Sequence, residues 1–308
     1  MNKVTFILKT VACFCLCMAL TSVSIAQQNV QFTQYMFNGL VINPAYAGAD
    51  EALSLTFIHR SQWTGIDNAP STQTLTAHTL VKQKKLGLGL MVVNDRIGIH
   101  KNLSALSSYA YHLRTGKQSY LSMGLQAGIK SIRSDYTSLM TTTADPAALN
   151  AFTSRTFFDF GAGIYFRSPH LHIGLSAPEM NTQRFYATDS LTRKSYLSDM
   201  LLFAKYRITV NNYFDLEPSA LVKYMKDLPI SFDVNLNLIY RNVLTLGLSY
   251  RTKESVDFIL KAQATPQLQF GYAYDHPIGN VARLSNGSHE LMVQYVFRYL
   301  QKNVESPR

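Results

Sequence analysis

Polar and apolar residues alternate one by one through most of the chain, and this period of two limits the fold more than any other feature. Leu121, Met123, Leu125, Ala127 and Ile129 alternate with Ser122, Gly124, Gln126, Gly128 and Lys130. Phe232, Val234, Leu236, Leu238 and Tyr240 alternate with Ser231, Asp233, Asn235 and Asn237, and Leu244 to Arg251 and Leu268 to Asp275 repeat the pattern. Side chains of a β-strand point to opposite faces in turn, so each segment has one apolar face and one polar or glycine face. Fourteen such segments fall at roughly 52–60, 72–81, 86–94, 103–113, 119–132, 156–167, 171–176, 199–208, 213–223, 230–240, 243–251, 256–263, 268–274 and 289–297. No long helical pattern lies among them, and Pro169 and Pro178 bracket the short seventh segment. The fold class is all-β.

The connections say how the strands are arranged. Those after even-numbered segments are short: "KQKK" (82–85), "RTGKQ" (114–118), "SPH" (168–170), "TVNN" (209–212), "RN" (241–242) and "ATPQ" (264–267). Several after odd-numbered segments are long: 61–71, 133–155, 177–198 and 275–288. Short turns at one end and long loops at the other mark a transmembrane antiparallel β-barrel of the outer-membrane kind. In hydrocarbon every backbone N–H and C=O needs an internal partner, so the sheet must close on itself. An even strand number returns both termini to the short-turn, periplasmic side. Gly87, Gly89, Gly124 and Gly128 fall on the inward face, where glycine eases curvature and crowding. The last segment, "HELMVQYVF", ends on an aromatic residue, as barrel strands of this kind commonly do. A soluble exported β-sandwich would also alternate, but it would not need the regular short-and-long connections.

The first 26 of the 308 residues read as an export signal: Lys3 and Lys9, an apolar run from Val11 to Leu20, then Ser24-Ile25-Ala26. Cys13, Cys15 and Cys17 are the only cysteines, so cleavage after Ala26 leaves none. A lipoprotein site at Cys13 fits poorly, because the apolar run continues past it. Removing Lys3 and Lys9 takes the 29 basic residues to 27 against 19 acidic ones, a net charge of +8. That balance suits anionic partners or surfaces, but an exported chain is not expected to bind nucleic acid. The expected organisation is a signal at 1–26, an N-terminal periplasmic or plug segment at 27–51, the barrel at 52–297 and a periplasmic tail at 298–308.

Little in the chain points to catalysis. No local signature joins a nucleophile to a base. "GLGL" (87–90) precedes no helix and is no phosphate loop. His170-x-His172 offers two rings without a cysteine or a paired acid, so a lumen or turn role is expected over a metal site. Asp233, Asn235 and Asn237 share one face, expected to line a hydrated interior. No enzyme activity, cofactor or metal is expected.

One stretch carries a resemblance. "QFTQYMFNGLVINPAYAGA" (31–49) resembles the opening of the PorP/SprF family of Bacteroidota outer-membrane proteins, through Gln34, Tyr35, Met36, Phe37, Asn38 and then Ile42 to Gly48. Arg60, Gln62, Trp63 and Gly65, followed by Ala69, Pro70 and Thr72 to Leu75, resemble a second family segment, as do "GLGLMVVNDRIG" (87–98) and "GSHELMVQYVF" (287–297). Gly39 departs from the pattern, which has proline there. The resemblance implies an outer-membrane barrel that is a component or accessory of the type IX secretion system, the export and gliding machinery of these bacteria. Its implied partners are a large, secreted, adhesin-like client, periplasmic proteins of the machine and outer-membrane lipid. A channel for small or hydrophobic solutes is the alternative.

The opening stretch precedes the first strand and is therefore expected on the periplasmic side. Asn43-Pro44 favours a turn and Gly48 permits a positive φ. Phe32, Tyr35, Met36, Phe37 and Tyr46 are expected to pack it into the barrel mouth or lumen, as a plug or a docking face. Tyr35, Met36, Phe37, Asn43, Pro44, Tyr46 and Gly48 are its candidate partner-binding residues. Trp63, Gly65 and Pro70, in the first outer loop, are candidates for contact with a protein partner. An interfacial belt or a loop folded into the lumen are the other roles open to Trp63.

Overall fold

The alternation closes into a cylinder. The computed structural model describes residues 30–81, 85–136, 152–181, 199–225 and 229–297. The expected signal, the tail and most of the loops 133–155 and 177–198 lie outside them. The strands are β1 Leu53–Ser61, β2 Ser71–Val81, β3 Leu86–Ile97, β4 His100–Arg114, β5 Tyr120–Asp135, β6 Phe152–Arg167 and β7 Leu171–Ala177. They continue with β8 Met200–Tyr206, resumed at Ile208–Thr209, then β9 Phe214–Tyr224, β10 Ser231–Tyr240, β11 Leu244–Arg251, β12 Ser255–Gln263, β13 Leu268–Pro277 and β14 Ser288–Phe297. Each pairs antiparallel with its sequence neighbours. β1 pairs β14 from Leu53 opposite Phe297 to Ser61 opposite His289, which closes a 14-stranded barrel. No helix among the described residues is long and apolar enough to cross a membrane, and the protein crosses with strands instead.

Burial follows the alternation. On β10, Val234, Leu236 and Leu238 are exposed outward while Asp233, Asn235 and Asn237 are buried inside. Leu125, Ile129, Phe158 and Leu248 are likewise more than half exposed. In water such a surface would aggregate; around a closed barrel it is the lipid-facing band.

The strand ends differ from the sequence reading on one side of the barrel. A connection was expected at 95–102, but β3 and β4 stay paired up to Ile97 opposite His100, leaving only Gly98 and Ile99 in the turn. Gly98 takes φ +56°, which a tight hairpin turn needs. β5 runs to Asp135, and β6 begins at Phe152 instead of 156. Strands of 15 or 16 residues exceed the roughly nine to eleven that span a bilayer, so their long-loop ends stand clear of the membrane. Out there both faces meet water, and the alternation that marks a strand is lost. β7 pairs only with the part of β6 from Ala162 to Arg167.

Candidate functional site

The segment before β1 lies inside the barrel. It does not sit as a whole on the short-turn side, as its place before β1 suggested. Gln31 to Gln34 lie high in the lumen, against the long-loop ends of β11 to β14 and β1. The chain then crosses the lumen and packs against β2 to β7 before leaving at the short-turn rim as β1.

Charge anchors the upper part. Both carboxylate oxygens of Glu290 accept backbone N–H groups, from Thr33 and Gln34, at 2.8 Å each. Arg60 donates to Asp275 at 2.6 Å, to Glu290 at 3.2 Å and to the Thr33 hydroxyl at 2.8 Å, and that hydroxyl donates in turn to Asp275. All four side chains are buried. Arg251, also buried, reaches the Gln31 side chain, the Phe32 carbonyl and Asp233, which Lys223 holds at 2.8 Å. The upright course of the segment thus follows from carboxylates placed to accept its first amides, because a buried amide or charge without a partner costs about 1–3 kcal/mol or more.

Shape anchors the lower part. A Cβ on Gly124 would stand 2.3 Å from the Ala45 nitrogen, and one on Gly87 would stand 1.9 Å from the Ala47 carbonyl oxygen. Gly163 and Gly174 make the same room for the Asn43 side chain, and Gly271 for that of Gln34. The inward glycines of β3 and β5 therefore do more than ease curvature: they let a second backbone touch the wall. Gly128 faces the Ala105 carbonyl of the neighbouring strand instead.

The sequence-named residues of this segment divide the work. Tyr35 is buried, lies edge-on to Phe203 at 5.9 Å and accepts from Asn235. Met36 is buried in the same apolar cluster, which spans both segment and wall. Phe37 is partly buried beneath the Lys261 ammonium, 4.3 Å from its ring centre. Asn43 accepts from the Ala45 N–H, capping the short helix that Pro44 begins, and donates to the carbonyls of Ile164 and Leu175 on the wall. Tyr46 packs edge-on against His78 and Tyr165 and donates to Asp50. Gly48, at φ +80°, donates its N–H to His78. The Tyr46 ring fills the space where a Cβ on Gly39 would stand, 2.4 Å away. Gly39 therefore makes room for Tyr46, and a proline there would collide with the ring.

Trp63, Gly65 and Pro70 lie apart from this set, at the long-loop mouth. Trp63 is half-buried at φ +53°, with its N–H given to the Ser288 hydroxyl. Thr64 and Asn286 exchange backbone hydrogen bonds with their opposite loop, so the β1–β2 and β13–β14 loops are tied together. Gly65 takes φ +93° and is exposed, while Pro70 is buried. Trp63 flanks a polar cleft floored by Gln31, Arg60, Arg251 and Glu254.

The sequence reading named Gln34 and Asn38 only as matches to the family pattern, and gave no role to Thr33, His78, His112 or the carboxylates of β13 and β14. Asn38 donates to Thr76, and His112 lies 2.8 Å from the Ala47 carbonyl. A signal for Glu290 was present: its inward position in "HELMVQYVF" puts an acid in a buried row. Asp233, Asn235 and Asn237 do point inward but are buried beside the segment, with no hydrogen-bond partner for either polar atom of Asn237. His172 hydrogen-bonds Tyr165, and His170 stands exposed in the preceding turn. Among the described residues no group of three His, Cys, Asp or Glu side chains is placed to hold a metal ion.

A family model, the type IX secretion system membrane protein PorP/SprF, matches residues 24–295. The chain belongs to the PorP/SprF family. Membership makes it an outer-membrane component of type IX secretion, with the fold of a barrel secretion component and not of an enzyme class. Among solved structures, this PorP/SprF barrel is similar to the CymD monoaromatic hydrocarbon channel, with a TM-score of 0.54 and 13% identity over 85% of this chain and 92% of that one. It also resembles the outer membrane protein Omp33 of Acinetobacter baumannii, with a TM-score of 0.48 and 10% identity over 81% of this chain and 98% of that one. At such identities the likeness concerns the fold. No curated protein matches the sequence.

Proposed function

We propose that this PorP/SprF barrel holds or guides a large, secreted, adhesin-like client at the cell surface, in support of adhesion or gliding, and meets periplasmic proteins of the type IX machine at its short-turn end. The supporting observation is the occupied lumen. Residues 32–36 and 38–45 are all buried inside the wall, so the segment stands where a translocating solute would pass. A barrel closed by its own chain has its outer loops left for recognition. Trp63 and Gly65, on loops tied together at the long-loop mouth, are the candidate client contacts, along with the loops 133–155 and 177–198. The inward face of the segment is spent on the wall, so Tyr35, Met36 and Asn43 serve a partner by fixing the shape of the mouth.

Deleting the protein from its host and comparing surface-exposed proteins with and without the restored chain tests this reading. Loss of a secreted surface protein, restored by the intact chain and weakened by Trp63→Ala, is the expected result. An unchanged surface profile overturns it. The alternative, a channel for small or hydrophobic solutes, predicts selective conductance of the intact protein in planar bilayers. The closed reading predicts conductance only after residues 30–48 are removed.

A further inference from the structure

The two ends of the barrel carry different charge. At the long-loop end both signs are interspersed, as Asp95 beside Arg96 and Lys253 beside Glu254 show. Three of the six short turns contain lysine or arginine, and none of the six contains an acid. Of the acids nearest that rim, Glu51 lies 2.7 Å from Arg167 and Asp215 2.5 Å from Arg207, while Asp50 accepts from the Tyr46 hydroxyl and lies 3.4 Å from the buried His78. Lys85, Arg114, Lys117 and Arg241 remain exposed, with no acidic partner among the described residues.

Where these cations stand matters as much as their number. They come from the β2–β3, β4–β5 and β10–β11 turns, on opposite arcs of the cylinder. Arg241 lies 4.6 Å above the Tyr213 ring centre and 5.6 Å from that of Tyr240. Both rings face outward and are 51% and 40% exposed, at the edge of the lipid-facing band. A guanidinium spread on interfacial tyrosines presents its N–H edge at headgroup depth. Arg114 is held on its own turn by the Gly116 and Lys117 carbonyls, which fixes its charge at the rim.

We infer that the short-turn rim binds the phosphates of anionic phospholipids in the adjoining leaflet, with Lys85, Arg114, Lys117 and Arg241 as its contacts. A compact acidic protein would meet one arc of the rim, whereas a lipid leaflet meets all of it. Cations beside an anionic leaflet attract its headgroups, and the attraction weakens with salt. The inference does not depend on the client or on the closed lumen.

The test uses the full-length protein extracted from membranes, stripped of lipid and offered equal amounts of phosphatidylglycerol and phosphatidylethanolamine. Retained lipid is counted by native mass spectrometry. The expected result is an excess of phosphatidylglycerol of about threefold or more that falls as salt rises. The combined Lys85→Gln, Arg114→Gln, Lys117→Gln, Arg241→Gln protein should lose that excess while keeping the heat-modifiable gel migration of a folded barrel. Arg241→Gln alone, a single change on an exposed turn, should reduce it if the combined variant does not fold. Equal retention of the two lipids by the unaltered protein overturns the inference, as does an excess that survives in the folded variants. Binding of poly-glutamate without lipid preference overturns it in favour of an acidic protein partner.

Discussion

The lumenal segment meets two unlike walls. Against β3 to β7 it is held by close contact at glycines, with its backbone against Gly87 and Gly124 and its Asn43 side chain against Gly163 and Gly174. Against β10 to β14 and β1 it is held by Arg60, Arg251, Asp275 and Glu290. The glycine wall allows no substitute, because a single added carbon occupies the place of another atom. The charged wall is adaptable: a buried ion pair can often be exchanged for well-fitted neutral groups, although removing one partner alone is costly. One wall therefore sets position and the other sets the course of the chain.

The largest effect should come from the glycine wall. Gly124→Val puts carbon into Ala45, and the segment can no longer seat. Burial of Tyr35, Met36, Leu40, Val41 and Ile42 would be lost with it, on the order of 10 kcal/mol at about 1.5–3 kcal/mol per side chain. Open conductance in planar bilayers and protease cleavage within residues 30–50 would report the displaced segment; a closed, resistant protein would remove the basis for the contrast.

Arg60→Met should cost about 3–5 kcal/mol in urea unfolding, since Asp275 and Glu290 lose their shared cation. Adding Glu290→Gln should recover part of that loss by removing one of the uncompensated charges. No second substitution on the wall should rescue Gly124→Val in the same way. Recovery of both would erase the distinction between the walls.

Asn43→Ala should cost about 1–2 kcal/mol, because it removes a helix cap and two bonds to the wall. Tyr35→Phe should cost about 0.5–1.5 kcal/mol, the value of its bond with Asn235, as its ring contacts remain. Equal losses for these two substitutions would show that the β6–β7 contact has no special role in seating the segment.

Legibility in the sequence followed the environment. On β10 to β14, lipid lies on one side and a polar interior on the other, and the strand limits were read to within a few residues. At the top of β3 to β6 both faces meet water, and Asp95 and Arg96 looked like a loop although they remain paired. Tyr35, Met36 and Phe37 stood out as apolar residues with no strand of their own to join. The wall partners of Asn43 and Ala45 did not stand out, because Gly124 and Gly163 look like any glycine in a strand until a second chain is laid across them.

The sequence by itself determined a closed, lipid-facing β-barrel, because a period of two is a local property that needs no knowledge of neighbours. Its motifs determined the family. Only the tertiary structure decided that the N-terminal segment runs down the lumen from the long-loop end, and that glycine holds one side of it and charge the other. Those contacts join residues far apart in sequence, such as Ala45 with Gly124 and Thr33 with Glu290, and no local pattern records which inward side chain a crossing segment will meet.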